Sequence, residues 1–281
     1  MIRKVVVPAA GLGTRLLPIT KELPKEMLPL FFRGNDDRVC LKPIMQAVFE
    51  QLYDVGFREF CFTVGRGKRA IKDHFTPDWD FVESLKGKNK AERVNGLEEF
   101  YKRISDSTIV FVNQPEPKGF GDSILRARAF TGGENFLVHA GDDLILSKDS
   151  DHIRRLIKAF EELNADAALL VERVGDPRIY GVVEGVRVSE GTYRVERIVE
   201  KPRFPLSNMA TIAVYVFKPM IYAKIEGVEP DEGGEIQLTD AIQDLISQGC
   251  KVYAIELREE KRIDVGSSEM YWNALNIAYK F

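Results

Sequence analysis

A chain of 281 residues with a formal net charge of -3 is long enough to bury a sizeable core, and 44% hydrophobic with 30% charged residues is an ordinary globular composition. So slight an acidity gives no global attraction for nucleic acid or an anionic membrane, and an anion site must be a local cluster of cations. The three cysteines (Cys40, Cys61, Cys250) stand too far apart to suggest a disulfide framework or a zinc site, and no apolar run approaches a membrane span. The start carries no signal-peptide pattern, so a cytoplasmic protein is expected.

In chain order, the apolar runs Val5 to Val7, Phe60 to Val64, Ile109 to Val112 and Phe136 to Ala140 read as strands. Between them, Pro43 to Tyr53, Lys68 to Phe75 and Asp122 to Phe130 carry apolar residues at helical spacing. Phe31 to Leu41 and Trp79 to Arg103 are polar and irregular, and read as surface insertions. Strand–helix alternation with continuous apolar strands predicts an α/β fold: a Rossmann-like mixed, mostly parallel sheet flanked by helices. After Asp166 strands follow in quick succession, at Ala167 to Val174, Tyr180 to Val183, Tyr193 to Val199 and Ala210 to Phe217. Helices from Thr239 to Gly249 and from Ser267 to Tyr279 close the chain.

The chemistry concentrates near the N-terminus. A short apolar strand runs into Pro8-Ala9-Ala10-Gly11-Leu12-Gly13-Thr14-Arg15, followed by Pro24-Lys25-Glu26-Met27-Leu28-Pro29. Glycines at 11 and 13 let the backbone turn and bring N–H groups against a phosphate. Arg15 and Lys25 add positive charge where a triphosphate would lie. A P-loop would need Gly-Lys-Ser/Thr, and a dinucleotide fingerprint a third glycine where Leu16 stands, so neither pattern applies. In α/β sheets ligands sit beyond the carboxyl ends of the strands, which places the Gly11 loop and Gly141-Asp142 on one rim.

The segment Pro8 to Leu30 resembles the signature of the sugar-1-phosphate nucleotidylyltransferases, most closely their uridylyltransferase branch. Further matches follow in order: Gly119-Phe120-Gly121, Gly141-Asp142-Asp143, Tyr180-Gly181-Val182-Val183, Val199-Glu200-Lys201-Pro202, Ser207-Asn208, Glu235 to Asp240 and Asp264-Val265-Gly266. The resemblance implies a single domain over 1–281. Within it, residues 1–165 would bind nucleotide, and residues 166–281 would bind sugar phosphate and add the C-terminal helices. It implies UTP and glucose 1-phosphate as substrates, Mg²⁺ as cofactor, and a homodimer or homotetramer.

Residue by residue, the resemblance assigns Arg15, Lys25 and Lys201 to catalysis and Asp142 and Asp264 to the metal. Ala10, Gly11, Gly13, Glu26, Gln114 and Gly119 would contact the nucleotide. Gly181, Glu200, Lys201, Asn208 and Thr211 would form the sugar-phosphate pocket, with Gly181 letting the sugar approach the backbone. Asp143 stays outside these sets because relatives often carry an apolar residue there. His139 reads as a buried structural histidine, with support of Asp142 as the alternative. No general base is required, since the attacking sugar phosphate is already ionised, and catalysis should come from positioning and charge neutralisation.

Two alternatives stay open. Thymidylyl transfer, or another hexose 1-phosphate, differs little in recognition, since one methyl is worth about 1–3 kcal/mol; Glu26 and the Gly11-Leu12-Gly13 spelling favour uridine. A catalytically silent nucleotide-sensing subunit would be expected to lose one of Arg15, Lys25, Asp142, Lys201 or Asp264, and all five are present.

Overall fold

The run Lys-Val-Val-Val-Pro-Ala places β-branched residues at successive positions and forms strand β1 (Lys4–Ala9), buried along nearly its whole length. It sits inside a nine-stranded sheet in the computed structural model, which describes residues 2–33, 39–86 and 91–281. Strands β4 (Glu59–Val64), β5 (Thr108–Asn113) and β6 (Phe136–His139) join β1 in parallel register, in the order β5-β4-β1-β6. Outside this sheet, β2 (Pro29–Arg33) and β3 (Val39–Pro43) pair with one another.

The sheet continues without a break into the second half of the chain. Strand β11 (Met209–Phe217) pairs antiparallel with β6 and with β8 (Ala167–Arg173). Beyond β8 lie β12 (Val252–Glu256), β10 (Thr192–Glu200) and β9 (Gly181–Ser189), the last two antiparallel to their neighbours. A separate ribbon pairs β7 (Asp143–Leu146) with β13 (Lys261–Asp264).

Alternate β1 residues feed two cores, as the period of a strand requires. Val5, Val7 and Ala9 join the core that takes Met45, Val48, Phe49 and Leu52 from the helix Ile44–Val55. Val6 faces the other core, with Ile124, Ile221, Ile242 and Leu245 from three further helices. Phe49 is the hub of an aromatic cluster, 4.8 Å from Phe60, 5.4 Å from Phe75 and 6.0 Å from Phe100 between ring centroids.

The sequence reading needs correcting in three places. Trp79 to Arg103 is no irregular insertion: it contributes the helices Trp79–Lys86 and Ala91–Ser105, which bury Val82, Val94, Phe100 and Tyr101. Phe31 and Leu41 are paired across β2 and β3, so the other insertion has a hairpin at its base, while residues 34–38 lie outside the described residues. The helix expected over Asp122 to Phe130 divides into Gly119–Leu125 and Arg128–Thr131. Among the described residues no helix is long and apolar enough to cross a membrane.

Because Phe49 is 1% exposed and touches rings from three other elements, truncation leaves a cavity its neighbours cannot fill. Phe49→Ala should cost about 3–5 kcal/mol in denaturant unfolding. A loss under about 1 kcal/mol would mean the cluster collapses around the gap.

Candidate active site

Strands β1 and β6 run parallel and end side by side, so the turns that leave them open onto one rim. A cavity of about 870 Å³ lies there, lined by both turns and by residues of the β-rich half. On the β1 side, Gly13 adopts a left-handed backbone (φ 66°), and its carbonyl accepts a 2.7 Å hydrogen bond from Thr20. That turn starts the short helix Thr14–Leu16 and lifts Arg15 to the cavity wall, beside Gly266.

The cavity floor gathers more carboxylates than cations, and the cations pair closely with them. Lys25 meets Asp142 at 2.5 Å. Burial opposes the charge on Lys25, but Asp142, Glu26 and Asp264 together outweigh it and hold its ammonium above the usual range. Burial likewise works against the Asp142 carboxylate; Lys25 and Lys68 prevail and lower its pKa. Glu26 pairs with Lys68 at 2.8 Å, both nearly sealed from solvent, and burial raises the Glu26 carboxyl in spite of that partner. Arg262 grips Asp143 at 2.8 Å and Glu172 at 2.9 Å, with Asp264 at 3.4 Å and the Tyr180 ring beneath its guanidinium.

The β7–β13 ribbon brings the acids together. It sets Asp264 opposite Asp143, next to Asp142 in the chain. Asp264 is pushed up by burial first, then by Asp143 and Asp142, against the pull of Arg262 and of the Gly266 N–H. Two hard carboxylate donors with spare negative charge suit a divalent cation that takes its other ligands from phosphates and water. Among the described residues no group of three or more His, Cys, Asp or Glu could hold a metal on its own.

The opposite wall comes from β9, β10 and β11. Glu200 and Gly181 face each other in register, and Thr211 approaches from β11. Thr239 donates to Glu200 Oε2 at 3.3 Å, and Lys201 lies 3.1 Å from Glu200 Oε1. Lys201 has φ 39°, a left-handed conformation that costs a residue with a Cβ about 1–2 kcal/mol. Gly181 lines the cavity, and a Cβ there would fall 2.8 Å from the Thr211 hydroxyl and 2.9 Å from the Thr239 methyl, so the position has no room for a larger residue.

At the far end, Gly119-Phe120-Gly121 docks backbone to backbone on Ile236. Gly121 N donates to the Ile236 carbonyl at 3.0 Å and Ile236 N to the Lys118 carbonyl at 2.8 Å. A Cβ at either glycine would come within 2.8 Å of Ile236 backbone atoms. Gln114 sits beside this junction, with its amide nitrogen bonded to Asp122 and to the Gly119 carbonyl.

Of the residues singled out from sequence, Arg15, Lys25, Lys201, Ala10, Gly11, Gly13, Glu26, Gln114, Gly119, Gly181, Glu200, Thr211, Asp142 and Asp264 all line this cavity. Asn208 does not; it is exposed and its amide oxygen accepts from Arg173 at 2.9 Å, so it supports the strand ends instead. Asp143, outside the expected sets, belongs to the cavity floor. His139 is fully buried, its Nδ1 is 2.9 Å from the Ala140 carbonyl and burial takes its pKa down to about 4, which matches the structural reading. Sequence reasoning missed Lys68, Arg262 and Asp122. Arg262 left a signal, standing two residues before Asp264 on the same face of a strand, and so did Asp122, four residues before Arg126 on a helical run.

A mixed sheet whose parallel strands end in turns that line a cleft of paired cations and carboxylates is a nucleotide-handling α/β architecture. The nucleotidyl transferase family model matches residues 4–280, and the chain belongs to that family of enzymes. It is 36% identical over 284 residues to the UTP–glucose-1-phosphate uridylyltransferase of Pseudomonas aeruginosa, covering 100% of this chain and 97% of the relative. A Bacillus subtilis protein of the same name is 37% identical over 269 residues, 94% of this chain and 87% of the relative. Among solved structures, a UDP-glucose pyrophosphorylase complexed with UDP-glucose superposes with a TM-score of 0.86 at 32% identity, covering 100% of this chain and 99% of that one. A UTP-bound UGPase from Acinetobacter baumannii gives 0.83 at 28% identity, covering 99% and 93%.

The Glu26–Lys68 pair yields a stability test. Lys68→Met strands a buried carboxylate and should cost about 3–5 kcal/mol at pH 8. Without Lys68 the Glu26 pKa rises further above its unfolded value, so protonation stabilises the variant at low pH and that gain is lost as pH rises through the folded pKa. The deficit, read by thermal unfolding, should therefore shrink from pH 8 to pH 5. A deficit independent of pH would assign the loss to packing of the Lys68 chain.

Proposed function

We propose that this enzyme is a UTP–glucose-1-phosphate uridylyltransferase, forming UDP-glucose and pyrophosphate. One observation carries the reading: a single cavity is lined by the glycine turn, Arg15 and Lys25 from the first half of the chain and by Glu200, Lys201 and Thr211 from the second. Substrates held by the two sets would meet within it. Residues 1–165 hold the nucleotide and residues 166–281 the sugar phosphate, with Asp264 crossing over to the nucleotide set.

In the reaction an oxygen of the sugar phosphate bonds to the α-phosphorus of UTP. The bond from that phosphorus to the bridging oxygen breaks, and its electron pair leaves with pyrophosphate. Arg15 and Lys25 hold the triphosphate, and Lys201 orients the attacking phosphate and balances its charge. Glu200 accepts hydrogen bonds from sugar hydroxyls beside Thr211. Backbone at Ala10, Gly11 and Gly119, with Gln114, receives the base. Asp142 and Asp264 would hold Mg²⁺, which when bound screens the charge of the α-phosphate and the departing pyrophosphate. The assembly proposed from the family resemblance is a homodimer or homotetramer, to be read by analytical ultracentrifugation.

Pyrophosphate release should be followed with UTP, dTTP, CTP, ATP and GTP, each with glucose 1-phosphate and Mg²⁺. UTP should dominate; release led by dTTP makes the enzyme a thymidylyltransferase, and none with any nucleotide rejects the reading. Lys201→Ala should lower kcat by about 10²–10³ while thermal unfolding stays near wild type; Asp142→Ala should lower kcat by as much and, because it leaves Lys25 unpaired, also lower the unfolding temperature. Near-normal turnover would remove that residue from the mechanism. Chelation should abolish release, and added Mg²⁺ restore it.

A further inference from the structure

Gln114 is held one way round. Its Nε2 donates to Asp122 Oδ2 at 2.8 Å and to the Gly119 carbonyl at 3.1 Å. A carboxylate and a peptide carbonyl can only accept, so only the NH₂ end of the amide can face them. Asp122 is in turn fixed by Arg126, whose Nη2 and Nε lie 2.8 and 3.1 Å from Oδ1. Gln114 and Asp122 are 4% and 2% exposed. Gln114 lines the cavity wall, and among the described residues its Oε1 has no hydrogen-bond partner while its Nε2 has two.

We propose that Asp122, locked by Arg126, is a specificity-determining positioning residue: it presents the Gln114 carbonyl to the base and thereby selects uracil over cytosine. The inference rests on the uridylyltransferase reading and names the device behind its base preference. Uracil offers a ring N3–H, which Oε1 can accept. Cytosine offers a lone pair at N3, which would face Oε1 acceptor to acceptor. Gln114 cannot adapt by turning over, because Oε1 would then meet the Asp122 carboxylate and the Gly119 carbonyl. A buried polar group that finds no partner is what gives hydrogen-bonded sites their large discrimination. Asp122 does this without touching the base.

The test compares UTP and CTP on the full-length enzyme, by equilibrium binding and by kcat/KM with glucose 1-phosphate. Asp122→Asn keeps the shape, but its oxygen turns to Arg126 and its NH₂ faces Gln114, so the amide loses its fixed sense. The preference for UTP over CTP should fall at least about tenfold, chiefly through KM, with unfolding temperature near wild type. Arg126→Met loosens the same carboxylate from a half-exposed position and should shift the ratio in the same direction by less; it decides the matter if Asp122→Asn does not fold. An unchanged ratio in folded variants, or equal weakening of UTP and CTP, overturns the clamp and leaves Asp122 a packing role. Wild-type enzyme that uses neither nucleotide overturns the uridylyltransferase reading, and the clamp with it.

Discussion

Everything at the cavity floor follows from one electrostatic constraint: four carboxylates, Glu26, Asp142, Asp143 and Asp264, share a site largely closed to water. Like charges so placed repel, and burial adds a desolvation cost to each. The chain meets this with three cations brought from afar. Lys25 neutralises Asp142, Lys68 neutralises Glu26, and Arg262 spans Asp143, Glu172 and Asp264. Lys25 and Glu26 are adjacent in the chain yet belong to different pairs, so the short helix Lys25–Met27 ties the two networks together.

The fold is arranged to deliver those charges. Parallel strands β1 and β6 put two turns on one rim, and antiparallel β11 sews that rim to the β-rich half. The register of β11 shifts between Thr211 and Tyr215, the stretch where it passes the cavity. Its residues thus serve both cores while leaving Thr211 and Ala213 on the wall. The sheet is continuous from β5 to β9, so both halves of the chain contribute strands to it.

The sequence made most legible what is local. The glycine turn, Arg15, Lys25 and Asp142 sit next to strands whose apolar runs announce them. The helix Ala91–Ser105 was missed because polar composition masked a real period: Val94, Leu97, Phe100 and Ile104 recur three or four residues apart and all pack on the core. Lys68 and Arg262 were harder for a physical reason. Arg262 finds Asp143 across 119 positions and Lys68 finds Glu26 across 42, and no spacing rule links residues that only folding brings together. Asn208 differs the other way: a motif match groups it with the pocket, whereas it lies outside the cavity lining and accepts a hydrogen bond from Arg173, 35 positions away.

The β7–β13 ribbon carries a consequence for how such a chain can change over time. Asp264 faces Asp143 only because four residues on each strand pair in a single register. Strand side chains alternate faces, so one inserted or deleted residue in 261–264 would turn Asp264 away from Asp142 and Arg262 with it. This short ribbon is therefore a ruler as well as a scaffold. Descendants of this chain can trade side chains along it, but its length is inherited whole.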